Sequence, residues 1–261
     1  MIRRAWLGIF SGWLLLCSSA AISAPEKVVF GVMRLAFPPF QVLQSGQPAG
    51  PDLDTVIEAF RRMPDYELDI QVMPFKRARH EIYTGRIDVT TMYKTPDRID
   101  KLLFPDTPIR WSIYKIAVPA GKRFEFNGID DLAGRRFGKL EKVPVSQAFD
   151  VAAEEKKFEL YELKSFKNML EMLNLERLEA VVGHVQVIDY VAMTMDLRGR
   201  IEFLDKPVRP AKELHLAVSP QSKVSNPEAL RKALSLSFKS MLDDGTYDAI
   251  YRAYGLTYEG L

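Results

Sequence analysis

The chain has 261 residues, with 36 Lys and Arg against 34 Asp and Glu, three His, one Cys and a formal net charge of +2 at pH 7. Arg3 and Arg4 fall in an acid-free leader-like segment, so residues 25–261 carry the two signs in equal number, a balance that excludes nucleic acid and polybasic membrane attachment as partners. The lone Cys17 excludes a disulfide framework, so stability must come from hydrophobic cores, of which this length can build one or two.

Arg3 and Arg4, an apolar run over residues 6–17 and small residues from Ser18 to Ala24 form the three regions of a secretory signal peptide, residues 1–24. The apolar run is shorter than the ~20 residues needed to span a bilayer. Leu16 precedes Cys17 where a lipoprotein signal carries a small residue. The chain beginning at Pro25 is therefore expected to be soluble in the periplasm, without an acyl anchor.

Strand and helix signals then alternate. Residues 28–32 read as a strand, and residues 52–62 as a helix with Leu53, Val56, Ile57 and Phe60 on one face. Leu68, Ile70 and Val72 alternate with Asp69 and Gln71 as in a strand. Residues 75–84 read as a helix stopped by Gly85, and residues 87–92 as the next strand. This is the βαβαβ order of a parallel, doubly wound sheet. A second unit follows a long strand at 109–118, with strands at 135–140, 158–163 and 178–182. Its helices are expected at 146–156, at 165–175 with Ser165 as cap, and at 185–195. Residues 213–219 return to a strand, Asn226 opens a helix reaching Leu242, and residues 247–254 form a last short helix. Two α/β units without a flexible linker predict two lobes joined by strands: residues 25–117 plus 214–261, and residues 118–213. The candidate hinges are 116–118 and 214–217.

Residues 85–98, G-R-I-D-V-T-T-M-Y-K-T-P-D-R, carry the most specific functional signal. Thr95 suits an N-cap and Pro96 the first helical position, which places Arg98 in the first turn beside backbone N–H groups lacking helical partners. A cation there is disfavoured by the helix dipole, by roughly 0.3–1 kcal/mol. An Arg fork beside free N–H groups suits a carboxylate. The other reading is a surface Arg paired with Asp97 or Asp100.

Six motifs in order, G-V-M-R-L-A-F-P-P-F (31–40), G-P-D-L-D (50–54), G-R-I-D…T-P-D-R (85–98), F-P-D (104–106), D-D-L-A-G-R-R-F-G (130–138) and D-D-G-T-Y-D (243–248), make the chain resemble the family 3 extracellular solute-binding proteins, periplasmic receptors for polar amino acids. The resemblance covers essentially all of residues 25–261. It implies an α/β fold, a two-lobed type II periplasmic-binding-protein-like clamp whose lobes are each a mainly parallel sheet flanked by helices, with the ligand between them. It also implies Phe37 and Phe75 as aromatic walls, Thr90 and Thr91 as contacts, and Arg98 as the carboxylate grip. For each Phe, ordinary core packing is the alternative.

Two departures bear on the ligand. His184 stands where amino-acid receptors place an Asp that accepts from the ligand ammonium, and an imidazole is a poor ammonium partner. If that role holds, an anionic ligand should bind more tightly as His184 gains its proton, near pH 6.5 for an unperturbed imidazole; a helix cap or core position is its other reading. The usual Gly-Ser-Thr loop is replaced by L-E-K-V-P-V-S-Q, leaving Ser146 and Gln147 as substitutes, and Tyr93 is bulky where a serine is common.

The resemblance therefore implies a non-catalytic, monomeric receptor for a small carboxylate-bearing solute, an amino acid or organic acid, serving a membrane permease of an ABC-type importer. A sensory receptor for a membrane signalling protein is the alternative. A cyclic-acid dehydratase using Glu141 with His184 is a third reading. No cofactor or metal is expected, since His80, His184 and His215 fall in no catalytic or metal-ligand motif.

Overall fold

The computed structural model describes residues 24–34 and 37–258. The expected signal peptide, apart from Ala24, and Cys17 within it lie outside the described residues. Strand β1 (Glu26–Met33) leads into a small hairpin, β2 (Val42–Gln44) and β3 (Gln47–Ala49). Helix α1 (Pro51–Arg61), β4 (Tyr66–Met73), α2 (Phe75–Tyr83), β5 (Val89–Tyr93) and the single turn α3 (Pro96–Ile99) follow. Then come β6 (Arg110–Ser112), β7 (Tyr114–Pro119), a 3-10 turn (Ile129–Leu132) and β8 (Arg136–Leu140). Helix α4 (Gln147–Glu154), β9 (Glu159–Leu163), α5 (Phe166–Asn174), β10 (Ala180–His184) and α6 (Val185–Thr194) continue the second half. The chain closes with β11 (Ile201–Phe203), β12 (Lys212–Val218), α7 (Pro227–Asp243) and α8 (Thr246–Ala253).

Two five-stranded sheets result, ordered β4-β1-β5-β12-β6 and β11-β7-β10-β8-β9. One strand of each runs against the rest: β12 is antiparallel to β5 and β6, and β7 to β10 and β11. Apolar clusters cover both faces of each sheet. Phe30, Phe40, Phe60, Phe238 and Tyr251 pack on one side of the first sheet, and Ile82, Ile87 and Phe104 on the other. The second sheet is covered by Phe137, Phe149 and Phe158 on one face and by Met169, Leu170 and Ile188 on the other. This is the two-sheet α/β clamp architecture that the motif order implies.

Local chemistry explains the element ends. Ser146, Ser165 and Asn226 each accept a backbone N–H of the first turn they precede, from Phe149, Asn168 and Ala229. Buried Asp88 of the G-R-I-D motif accepts from Val29 N and Lys223 N, tying β1 to the loop before α7.

The strand read as continuous over 109–118 is divided. Arg110 pairs with Leu214 in the first sheet, while Tyr114 pairs with His184 in the second. The chain thus crosses between sheets at Ile113, and crosses back through residues 204–211 between β11 and β12. The expected limit at 117 and the candidate hinge 116–118 fall inside β7, and 214–217 falls inside β12, paired with β5. Apolar residues recur on both sides of Ile113, at Ile109, Trp111, Tyr114 and Ile116, so the exchange of hydrogen-bond partners left no mark in the periodicity. The hairpin β2–β3 and strand β11, three residues each, are too short to show one.

Gly85 adopts φ +65°, and a Cβ built there would lie 1.9 Å from the Gln221 carbonyl oxygen. Gly46 has a similar φ, +79°, but nothing lies within 4 Å of its Cβ position. Gly85→Ala should therefore lower unfolding stability by about 1–3 kcal/mol, and clearly more than Gly46→Ala, in urea titrations of the two variants.

Candidate functional site

Strands β1 and β5 lie side by side and parallel, so the loops after them open on one rim. Beneath that rim is a cavity of about 280 Å³. Met33, Phe37, Phe75, Met92 and Leu214 supply its apolar walls, Gln41, Thr91 and Tyr93 its neutral polar groups, and Asp52, Arg79, Arg98 and Arg110 its charges. All twelve lining residues belong to the half built on the first sheet.

Of the expected site residues, the structure brings Phe37, Phe75, Thr91, Tyr93 and Arg98 to this cavity. Phe75 is half exposed, as a wall facing a cleft would be. Arg98 Nη1 donates to the Tyr93 carbonyl at 3.0 Å, and its buried Nε has no hydrogen-bond partner. The Asp97 carboxylate stands 3.9 Å from that Nε, too far for a hydrogen bond. Thr95 occupies the N-cap position of α3, but its hydroxyl donates to Asp97 Oδ1 rather than capping the turn.

Thr90, Ser146 and His184 do not line the cavity. The Thr90 side chain points into the first sheet and donates to Gly31 O at 2.7 Å. The Ser146 hydroxyl is engaged as the cap of α4. His184 ends β10 and holds the N-cap position of α6 without making a cap bond. It is buried among the rings of Phe40, Tyr114 and Phe37, at centroid distances of 4.9, 5.9 and 6.2 Å. Its Nε2 lies 3.5 Å from Arg110 Nη1, and its Nδ1 has no partner. Glu141 makes no hydrogen bond with His184, so the acid/base pair read from sequence is not assembled.

Three charged residues of the site, Asp52, Arg79 and Arg110, went unread in the sequence. Arg110 Nε donates to both carboxylate oxygens of Asp52, at 3.0 and 3.1 Å, with both side chains buried. Tyr251 OH approaches Asp52 Oδ1 at 3.4 Å. The Arg110 guanidinium lies flat on Phe40, 3.8 Å from the ring centroid. Gly50 makes the placement possible: its φ is +129°, and a Cβ there would sit 2.5 Å from Phe40 O, which also accepts from Asp52 N. Burial pushes the Asp52 carboxyl up while the Arg110 charge holds it down. The same burial pulls Arg110 down, and Asp52 together with Tyr93 and Tyr251 more than offsets it, so the guanidinium stays charged. The readable signal was an arginine interrupting the apolar run I-R-W-S-I.

Burial, then the charges of Arg110 and Arg209, hold His184 well below its ordinary value. The value near pH 6.5 presupposes an unperturbed imidazole, whereas burial and the two arginine charges favour the neutral form of His184 here.

The family model for bacterial extracellular solute-binding proteins, family 3, matches residues 30–257. The chain belongs to that family. Among solved structures, this family 3 protein is similar to the unliganded, open L-cystine solute receptor of Neisseria gonorrhoeae, at 16% identity and a TM-score of 0.71, covering 90% of this chain and 95% of that one. Substrate-binding domain 2 of Lactococcus lactis GlnP matches at 20% identity and a TM-score of 0.69, covering 92% and 98%. A histidine kinase sensor domain matches at 17% identity and a TM-score of 0.61, covering 91% and 99%. At these identities the likeness is one of fold. No curated protein matches the chain.

Asp52→Ala would strand the Arg110 charge in the interior. Chemical denaturation should show a loss of about 3–5 kcal/mol, with Asp52→Ala/Arg110→Met recovering much of it. His184 is held low in the fold, and the unfolded chain takes up its proton near pH 6.5. Stability should therefore fall as pH drops below about 6.5, by up to about 1.4 kcal/mol per pH unit for this group. His215 is shifted the same way by burial. Urea midpoints at pH 7.5 and 5.0 should thus differ less in His184→Asn than in wild type.

Proposed function

We propose that this family 3 protein captures a small carboxylate-bearing solute in the cavity under the β1–β5 rim and, as a periplasmic monomer, hands it to an ABC-type importer. The reading is carried by Arg98: a guanidinium with a buried, unpartnered Nε at the edge of an apolar-walled cavity of ligand size. A guanidinium fork matches the geometry of a carboxylate, and its charge-assisted bonds strengthen as the cleft excludes water. Thr91 and Tyr93 bring polar groups to the same wall. Phe37 and Phe75 offer surface for the body of the solute.

Arg98→Ala should leave the fold nearly intact, because no buried carboxylate depends on that side chain. It should reduce affinity for a carboxylate ligand by about 2–5 kcal/mol in calorimetry. Unchanged affinity would leave Arg98 as a surface side chain and remove the basis of this reading.

A further inference from the structure

The charges around the cavity do not balance for a monoanion. Three guanidiniums, from Arg79, Arg98 and Arg110, face one carboxylate, that of Asp52. Asp52 and Arg110 neutralise each other at 3.0 Å. Arg79 and Arg98 remain. Arg98 has only the distant, exposed Asp97 nearby. Arg79 has no ion-pair or hydrogen-bond partner among the described residues.

The position of Arg79 is selective. It lies four residues after Phe75 on α2, so the two share the helix face that borders the cavity. Arg77, on another face of the same helix, is paired with Glu81 at 2.8 Å. One arginine of α2 is thus consumed within the helix, and the one at the cavity mouth is left without a counter-ion.

The lining also lacks a free carboxylate for an ammonium, leaving Gln41, Thr91 and Tyr93 as its neutral acceptors. Its one carboxylate is committed on both oxygens to Arg110, with the Tyr251 hydroxyl at 3.4 Å. A ligand ammonium would find no charged partner unless it displaced that pair, and would share the cavity with the positive charges of Arg79 and Arg98.

We propose that the cavity selects a dicarboxylate without an amino group, one carboxylate on Arg98 and the second on Arg79 at the mouth, with the carbon chain between Phe37 and Phe75. This rests on the reading of Arg98 as the carboxylate grip and adds Arg79 as the residue that reads the second charge. Arg79 is exposed and makes no contact that holds the fold, so its substitution leaves the protein intact.

The test uses wild type, Arg79→Gln and Arg98→Gln, each unfolded in urea and refolded to strip carried ligand. Calorimetry is run with succinate, glutarate, 2-oxoglutarate, adipate and benzene-1,3-dicarboxylate. Butyrate, benzoate, L-glutamine and L-glutamate serve as the comparison set. Wild type is expected to bind at least one dicarboxylate about tenfold or more tighter than the corresponding monoacid, and 2-oxoglutarate more tightly than L-glutamate. Arg79→Gln should bring dicarboxylate and monoacid within about threefold of each other, while Arg98→Gln should weaken both. Equal binding of monoacids and dicarboxylates, a preference for L-glutamate or L-glutamine, or an unchanged ratio in Arg79→Gln overturns the dicarboxylate proposal while the Arg98 reading stands. Absence of binding by every carboxylate in the set, or wild-type affinities in Arg98→Gln, overturns both.

Discussion

The buried pair of Asp52 and Arg110 is the constraint around which the site is arranged. Neither charge could occupy the interior alone, since the effective cost of desolvating an ion in a protein is several kcal/mol. Together they link the first turn of α1 to the start of β6, and the Arg110 plane in turn fixes Phe40 beneath it. Because Phe40 stacks on Phe37 and meets His184 edge-on, one ion pair sets the floor of the cavity and the seam with the second sheet.

The two halves meet through α6, whose Val187 joins the first sheet's apolar cluster and whose Gln186 Nε2 donates to Thr257 O, and through aromatic and cationic groups. Arg209, in the returning crossover, lies 3.7 Å above the Tyr114 ring and donates to Val145 O. His184 closes the other side against Phe37 and Phe40. A neutral imidazole tolerates this position beside Arg110, which an imidazolium would not. The seam therefore favours an uncharged His184, whose Nε2 lies 3.5 Å from Arg110 Nη1.

Much of the architecture was legible because its signals are local. The periodicity of Leu68, Ile70 and Val72 marks β4, and Ser165 with Phe166, Met169, Leu170 and Leu173 marks α5. The motif G-R-I-D…T-P-D-R marks the rim with Arg98. What escaped was non-local. The break at Ile113 is a change of hydrogen-bonding partners without a change of composition. Asp52 lies in a motif that reads as the start of a helix and finds its partner 58 residues later. Thr90 and Thr91 are adjacent in sequence, yet strand alternation sends one into the sheet and the other to the cavity. Ser146 has the right chemistry for a ligand contact, but the backbone of α4 claims its hydroxyl first.

That every wall of the cavity comes from the half built on the first sheet has a kinetic meaning. On the proposed reading, a solute meets all of these lining groups on one half of the molecule, so recognition there needs no movement of the second half. Differences in affinity among solutes would then arise in how long each is held rather than how fast it arrives.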